Sequence, residues 1–144
     1  MCWTRSRELD CDPVAVTRGR RLVVADLAEA LDPAGPDATL VDDAALVVTE
    51  LLSNAVRAGG SRIVVRLEVH HRTVRVEVFD DGAGRPVPRR ATAGDVGGRG
   101  LHIVDTLSAA WGAVPSGPGK RVWSELPRRA AAAVPLSCDR AAAA

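Results

Sequence analysis

An α+β two-layer sandwich, with helices covering one face of a mixed, mostly antiparallel sheet, is the fold this sequence predicts. Three observations predict it. Ile63, Val65, Leu67 and Val69 alternate with Arg66, Glu68 and His70, and Val74, Val76 and Val78 alternate with Arg75 and Glu77, the period-2 pattern of half-buried strands joined by a tight turn at His70-His71-Arg72. Helical patterns stand in a block before this hairpin and again after it. At 144 residues the chain is one domain with a single core.

The elements follow in order. Arg5 to Leu9 reads as an edge strand. Asp12-Pro13 starts a helix, with Asp as N-cap and Pro at the first position. It runs to about Leu31 with Val16, Val23, Leu27 and Ala30 on one face, and Asp32-Pro33-Ala34-Gly35-Pro36 breaks it. A second helix covers Ala38 to Ala58, with Ala44, Val48, Leu51, Leu52 and Ala55 as its core stripe and Gly59-Gly60 as its end. After the hairpin, Arg85 to Gly97 reads as a mobile loop rich in Pro, Arg and Gly. A third helix runs from about Gly100 to Ser108. Ala110 to Val114 and Arg121 to Leu126 close the sheet around a Pro115–Gly119 turn. The domain is expected over residues 1–127, with 128–144 an Ala/Arg-rich disordered tail.

Net charge is +1, so no field favours nucleic acid or an anionic membrane. Of the 19 basic residues 18 are Arg and one is Lys120, a bias that fits GC-rich coding rather than a phosphate-binding surface. Cys2, Cys11 and Cys138 are few, odd in number and lack ligand spacing, so reduced thiols are expected. With no signal-like apolar start and no run of transmembrane length, the expectation is a soluble, cytoplasmic protein.

Three segments carry chemistry. On the second helix Glu50, Asn54 and Arg57 fall within about 60° of arc beside the core stripe. Asn54 Oδ1 suits Mg²⁺, which takes one or two protein ligands and fills the rest with phosphate and water. Glu50, one turn away, suits a general base, and Arg57 suits a phosphate. An ordinary solvated helix face explains the same three residues if they stand alone. Asp80 ends a strand and enters Asp81-Gly82-Ala83-Gly84. Its carboxylate can accept from an amino group such as adenine N6, and Gly82 and Gly84 let backbone approach a ring closely. A plain Asp-Gly turn is the bland reading. Gly97-Gly98-Arg99-Gly100 opens a helix whose free N–H groups can bind phosphate; a flexible helix start is the alternative there. Neither a Rossmann fingerprint nor a P-loop fits: Val87 stands where the third glycine should, and Arg121 follows Gly119-Lys120. His70, His71 and His102 lack ligand partners at useful spacing, and Ser53 has no nearby base.

These residues resemble the GHKL superfamily of ATP-binding domains, which includes gyrase, histidine kinases and mismatch-repair ATPases. Its N box is similar to Glu50-x-x-x-Asn54, its first glycine box to Asp80-x-Gly82-x-Gly84, and its second to Gly98-x-Gly100-Leu101. Within it, Leu46-Val47-Val48-Thr49-Glu50-Leu51, Gly100-Leu101-His102-Ile103-Val104, Trp111-Gly112 and Gly119-Lys120-x-Val122-Trp123-x-Glu125-Leu126 resemble the small actinobacterial anti-sigma-factor serine/threonine kinases. The likeness covers about residues 8–127. It implies the Bergerat fold, with the 85–97 segment as lid over ATP and Mg²⁺. By that likeness Glu50 is the base, Asn54 the metal ligand and Asp80 the adenine reader. Gly82 and Gly84 lie at the adenine side, and Gly98, Arg99, Gly100 and Leu101 lie at the phosphates with Arg57. Arg121 stands where the subfamily usually has Thr, next to the adenine network, and Ala58 where it tends to have His.

The function so implied is phosphorylation of a serine or threonine on an antagonist protein, coupled to sequestration of a sigma factor. No direct nucleic-acid or membrane contact is expected, and a homodimer is compatible with this role. Two rivals remain: a non-catalytic ATP-sensing module regulating a transcription factor, favoured by Arg121, and a small stand-alone ATPase.

Overall fold

In a computed structural model the described residues are 3–32, 34–83 and 98–129, with residues 98–100 described by their backbone only. Gly84, the 85–97 segment and residues 130–144 lie outside them. The elements are β1 (Trp3–Asp10), α1 (Val14–Ala30), α2 (Ala38–Arg57), β2 (Arg62–Val69), β3 (Thr73–Asp80), α3 (Gly98–Leu107), β4 (Ala110–Ser116) and β5 (Gly119–Pro127). The five strands form one sheet in the order β1-β2-β3-β5-β4, and all four pairings are antiparallel. This is the α+β sandwich that the sequence predicts.

Alternation decides which residues the helices cover. Ile63, Val65 and Leu67 of β2, Val74, Val76 and Val78 of β3, and Val122 and Leu126 of β5 are all buried. They meet Leu40, Ala44, Val47, Val48, Leu51, Leu52 and Ala55 of α2, and Val23 and Leu27 of α1. Each fully buried Val or Leu contributes about 1.5–3 kcal/mol. The intervening strand residues form an open face where Arg75 lies 4.4 Å over the Trp123 ring and bonds Glu125 at 2.9 Å.

The helix ends follow local chemistry. Asp12 Oδ1 accepts from the Ala15 N–H at 3.1 Å, so Asp12 caps α1. α2 gives out at Ala58, and Gly59 at φ +75° takes the left-handed position after it. The buried face of α1 differs from expectation: Ala15, Gly19 and Asp26 are buried beside Val23 and Leu27, while Val16 and Ala30 are only partly covered. Asp26 is drawn inward by Arg5 and Arg7, which sit on the helix-facing side of β1, opposite Leu67 and Val65. Past β5, the backbone N–H of Arg128 bonds Arg72 O at 2.8 Å, and Asp37 Oδ2 and Oδ1 accept from Arg128 Nε and Arg129 N at 2.9 and 2.8 Å. The chain is thereby fastened to the start of α2 at the point where the tail was expected to begin. No helix among the described residues is long and apolar enough to cross a membrane.

Candidate functional site

The C-terminal end of β3 meets the C-terminal end of α2. A Cβ on Gly82 would lie 2.6 Å from the Ala58 carbonyl oxygen, so only glycine lets the post-β3 loop close on the helix end. Asp81 ties the same junction from the other side. Its Oδ1 accepts from the N–H groups of Ser61 and Arg62 at 2.8 and 3.0 Å, and its Oδ2 accepts from Ser61 Oγ at 2.7 Å. The Arg62 amide, the Ser61 hydroxyl and the Ser61 amide hold its carboxyl at about 2. Asp81 is thus a structural clamp, which leaves its neighbour for other duty.

Asp80 points to the helix side and is 1% exposed. Oδ1 accepts from the Gly82 N–H at 3.1 Å, and Oδ2 lies 2.8 Å from Lys120 Nζ. Lys120 is Asp80's cross-strand partner on β5, and the preceding Gly119 is pressed so close that a Cβ there would overlap the Asp80 carbonyl. Arg121 is one residue further and therefore on the opposite face. It is exposed and lies 3.6 Å from Glu77 on the open side of the sheet. The expectation that Arg121 stands beside the Asp80 end of the sheet on the helix side is corrected here: the period of two turns it to the open face, and Lys120 stands beside Asp80.

On α2, Asn54 stands one turn before Ala58, whose N–H bonds the Asn54 carbonyl at 3.1 Å. Glu50 is one turn further back, and both side chains are half-buried. Arg57 is exposed, and its Nη2 donates to Asn54 Oδ1. The carboxylate, amide and guanidinium thus share one margin of α2, the helix whose end closes on the Asp80–Gly82 loop. Gly98, Arg99 and Gly100 form the first turn of α3, which packs on α2, and Leu101 follows them half-buried. α3 is held from below by Trp111 Nε1 donating to Asp105 Oδ1 at 2.9 Å, by Ser108 Oγ at 2.7 Å from Ser124 Oγ, and by buried Val104. Gly84 lies outside the described residues. Among the described residues no group of three or more His, Cys, Asp or Glu could hold a metal ion. Asn54 Oδ1 is a neutral oxygen on this margin that could hold a hard cation whose other ligands are phosphate oxygens and water.

The sequence reading gave Gly60, Gly119 and Lys120 no part in the site. A Cβ at Gly60 would strike the Asp81 carboxylate and lie 2.6 Å from the Gly82 nitrogen. The signal for Lys120 was its singularity among 18 arginines, but its partner is forty positions away and only strand register pairs them.

A helix-backed sheet with a buried carboxylate at a strand end, glycines at the closest backbone approaches, and an acid–amide pair on the adjoining helix defines a nucleotide-binding α+β domain. The histidine kinase-like ATPase domain family matches residues 14–123, and the chain belongs to that family. It is an ATP-binding domain of the GHKL type. No curated protein matches the chain.

Proposed function

We propose that this chain is an anti-sigma-factor serine/threonine kinase: it binds ATP with Mg²⁺, transfers the γ-phosphoryl group to a serine or threonine of an antagonist protein, and sequesters a sigma factor. The observation that carries this reading is the placement of Glu50 and Asn54 one turn apart on α2, with the end of that helix closed on the Asp80–Gly82 loop. Bound Mg²⁺ neutralises charge on the phosphates. Asn54 offers that ion an amide oxygen and exchanges its bond from Arg57 for it; Arg57 is then free to face phosphate. The first-turn amides of α3 present N–H groups to phosphate oxygens. Asp80 accepts from the base amino group. Glu50 takes the proton of the attacking hydroxyl as the new P–O bond forms, while the bond from the γ-phosphorus to the bridging oxygen breaks and ADP leaves with that oxygen. The rival ATP-sensing module loses its favouring feature, because Arg121 lies on the other face of the sheet.

The test loads the protein with ATP or ADP, captures partners and measures phosphoserine and phosphothreonine on them. Wild type transfers, whereas Glu50→Ala keeps ATP binding and capture while transfer falls about 10²–10⁴-fold. Wild type that binds ATP and a partner yet transfers nothing ends the kinase reading in favour of the sensing module. Steady phosphate release without any partner favours the stand-alone ATPase.

A further inference from the structure

We propose that a cavity at the start of α2 binds a small zwitterion, an α-amino acid with an aliphatic side chain, its ammonium on Asp43 and its carboxylate on Arg129. The cavity measures about 170 Å³. Three elements wall it: α2 with Leu40 and Asp43, α3 with its last residue Leu107, and the end of β5 with Pro127 and the arginines that follow. Leu40 and Asp43 stand three positions apart and so share one face of α2. Drug-sized ligands take pockets of roughly 300–1,000 Å³, so this one is too small for a second nucleotide and suits a ligand of amino-acid size. It lies roughly 20 Å along α2 from Asn54, at about 1.5 Å per residue, and is no part of the nucleotide site.

Charge selects the ligand. Asp43 and Arg129 both line the cavity, and among the described residues neither side chain has a hydrogen-bond or ion-pair partner. Asp43 is half-buried in the second turn of α2, past the reach of the helix dipole. A partly desolvated carboxylate without a partner gains from a bound cation. A guanidinium offers a carboxylate a planar fork of donors. Two unpaired charges of opposite sign on one cavity match a molecule that carries both, and Leu40, Leu107 and Pro127 give its side chain an apolar wall. The wall is held in place. Asp37 accepts from Arg128 Nε and the Arg129 N–H at 2.9 and 2.8 Å, and Arg128 Nη1 donates to the His70 carbonyl at 2.7 Å. These bonds occupy Arg128 and fix the backbone that carries Arg129.

Calorimetric titration of the full chain with L-alanine, L-valine, L-leucine, N-acetyl-L-leucine and L-leucinamide tests this. L-Leucine is expected to bind. N-Acetyl-L-leucine lacks the ammonium and L-leucinamide the carboxylate, and each is expected to bind at least about tenfold more weakly. Asp43→Asn and Arg129→Gln are each expected to weaken L-leucine binding about tenfold, and Asp43→Asn to erase the preference over N-acetyl-L-leucine. Both side chains are unpaired, so unfolding midpoints should hold; should a variant fail to fold, the analogue series on wild type decides alone. Failure of all three amino acids to bind at millimolar concentration overturns the site. L-Leucinamide bound as tightly as L-leucine marks a site for a cation only and overturns the zwitterion assignment. L-Leucine bound equally by wild type and both variants sits elsewhere and overturns the proposal. No step requires ATP, so failure here leaves the nucleotide reading standing.

Discussion

Two buried aspartates, one on α1 and one at the end of β3, are satisfied in different ways. Asp26 on α1 is 2% exposed and held by two guanidinium forks: Oδ1 accepts from Arg5 Nη1 at 2.9 Å and Arg7 Nη2 at 2.7 Å, and Oδ2 from Arg7 Nε at 3.0 Å. Asp80 at the end of β3 has one amide and one ammonium. Planar forks fix a carboxylate from both sides and fasten edge strand β1 to α1, in a cluster that Glu29 extends at 2.8 Å from Arg5. A point charge on a flexible stem holds a carboxylate without saturating it. The first arrangement suits a permanent joint, and the second suits a group that must also meet a ligand.

The sharpest way to break this contrast is to delete each acid and watch two readouts. Asp26→Ala should destabilise the fold by about 2–3 kcal/mol, below the roughly 3–5 kcal/mol of a fully buried broken pair because Arg5 and Arg7 keep partial access to water. Its ATP affinity should stay at the wild-type value. Asp80→Asn should weaken ATP binding by about 1–3 kcal/mol, and should cost less stability than Asp26→Ala because the carboxamide oxygen still accepts from the Gly82 N–H and can accept from Lys120. Equal loss of stability in both variants would erase the distinction.

Acid sharpens the comparison. Hydrogen bonding from Arg7, and then from Arg5, lowers the Asp26 carboxyl below its usual value of 3.8. Asp81 stands at about 2 through the Arg62 amide, the Ser61 hydroxyl and the Ser61 amide. A depressed carboxylate stabilises the fold above its unfolded value, and that contribution is lost as pH falls through the folded value. Thermal unfolding should therefore drop between about pH 4 and pH 2. Asp26→Asn and Asp81→Asn should each show a shallower drop over that interval. Curves parallel to wild type would place the acid sensitivity elsewhere.

How far the sequence revealed this follows from the range of each interaction. The β2–β3 hairpin and the α2 stripe were legible because alternation and 3.6-residue spacing are local, and buried Val65, Val76, Val48 and Leu51 confirm them. The N-cap at Asp12 and the stop at Gly59 were legible for the same reason. Asp26 was not: nothing within one turn of it announces Arg5 and Arg7, and β1 hides its helix-facing side under arginines. Arg121 was misplaced because a likeness of wording aligns residues along the chain and leaves sheet faces undecided. Only the pairing of Asp80 with Lys120 and of Phe79 with Arg121 settles which residue stands on the Asp80 side of the sheet. The Asp37–Arg128 joint escaped because its partners are ninety-one positions apart.

The smallest expected effect is also the most discriminating for the misplacement of Arg121. Arg121 lies 3.6 Å from Glu77 on the open face, and Glu77 keeps its 3.4 Å contact with Arg75 when Arg121 is removed. Exposed pairs of this kind contribute about 0–1 kcal/mol. Arg121→Thr should therefore leave ATP affinity within about 0.5 kcal/mol of wild type and cost no more than that in stability. Lys120→Thr, one position away but on the helix side, should weaken ATP binding by about 1–2 kcal/mol, the scale of a lost charged hydrogen bond. Calorimetry on both variants separates the two faces of one strand. A tenfold gain in affinity from Arg121→Thr would show that its guanidinium reaches the base, and the assignment of base reading to the Asp80 side would fall with it.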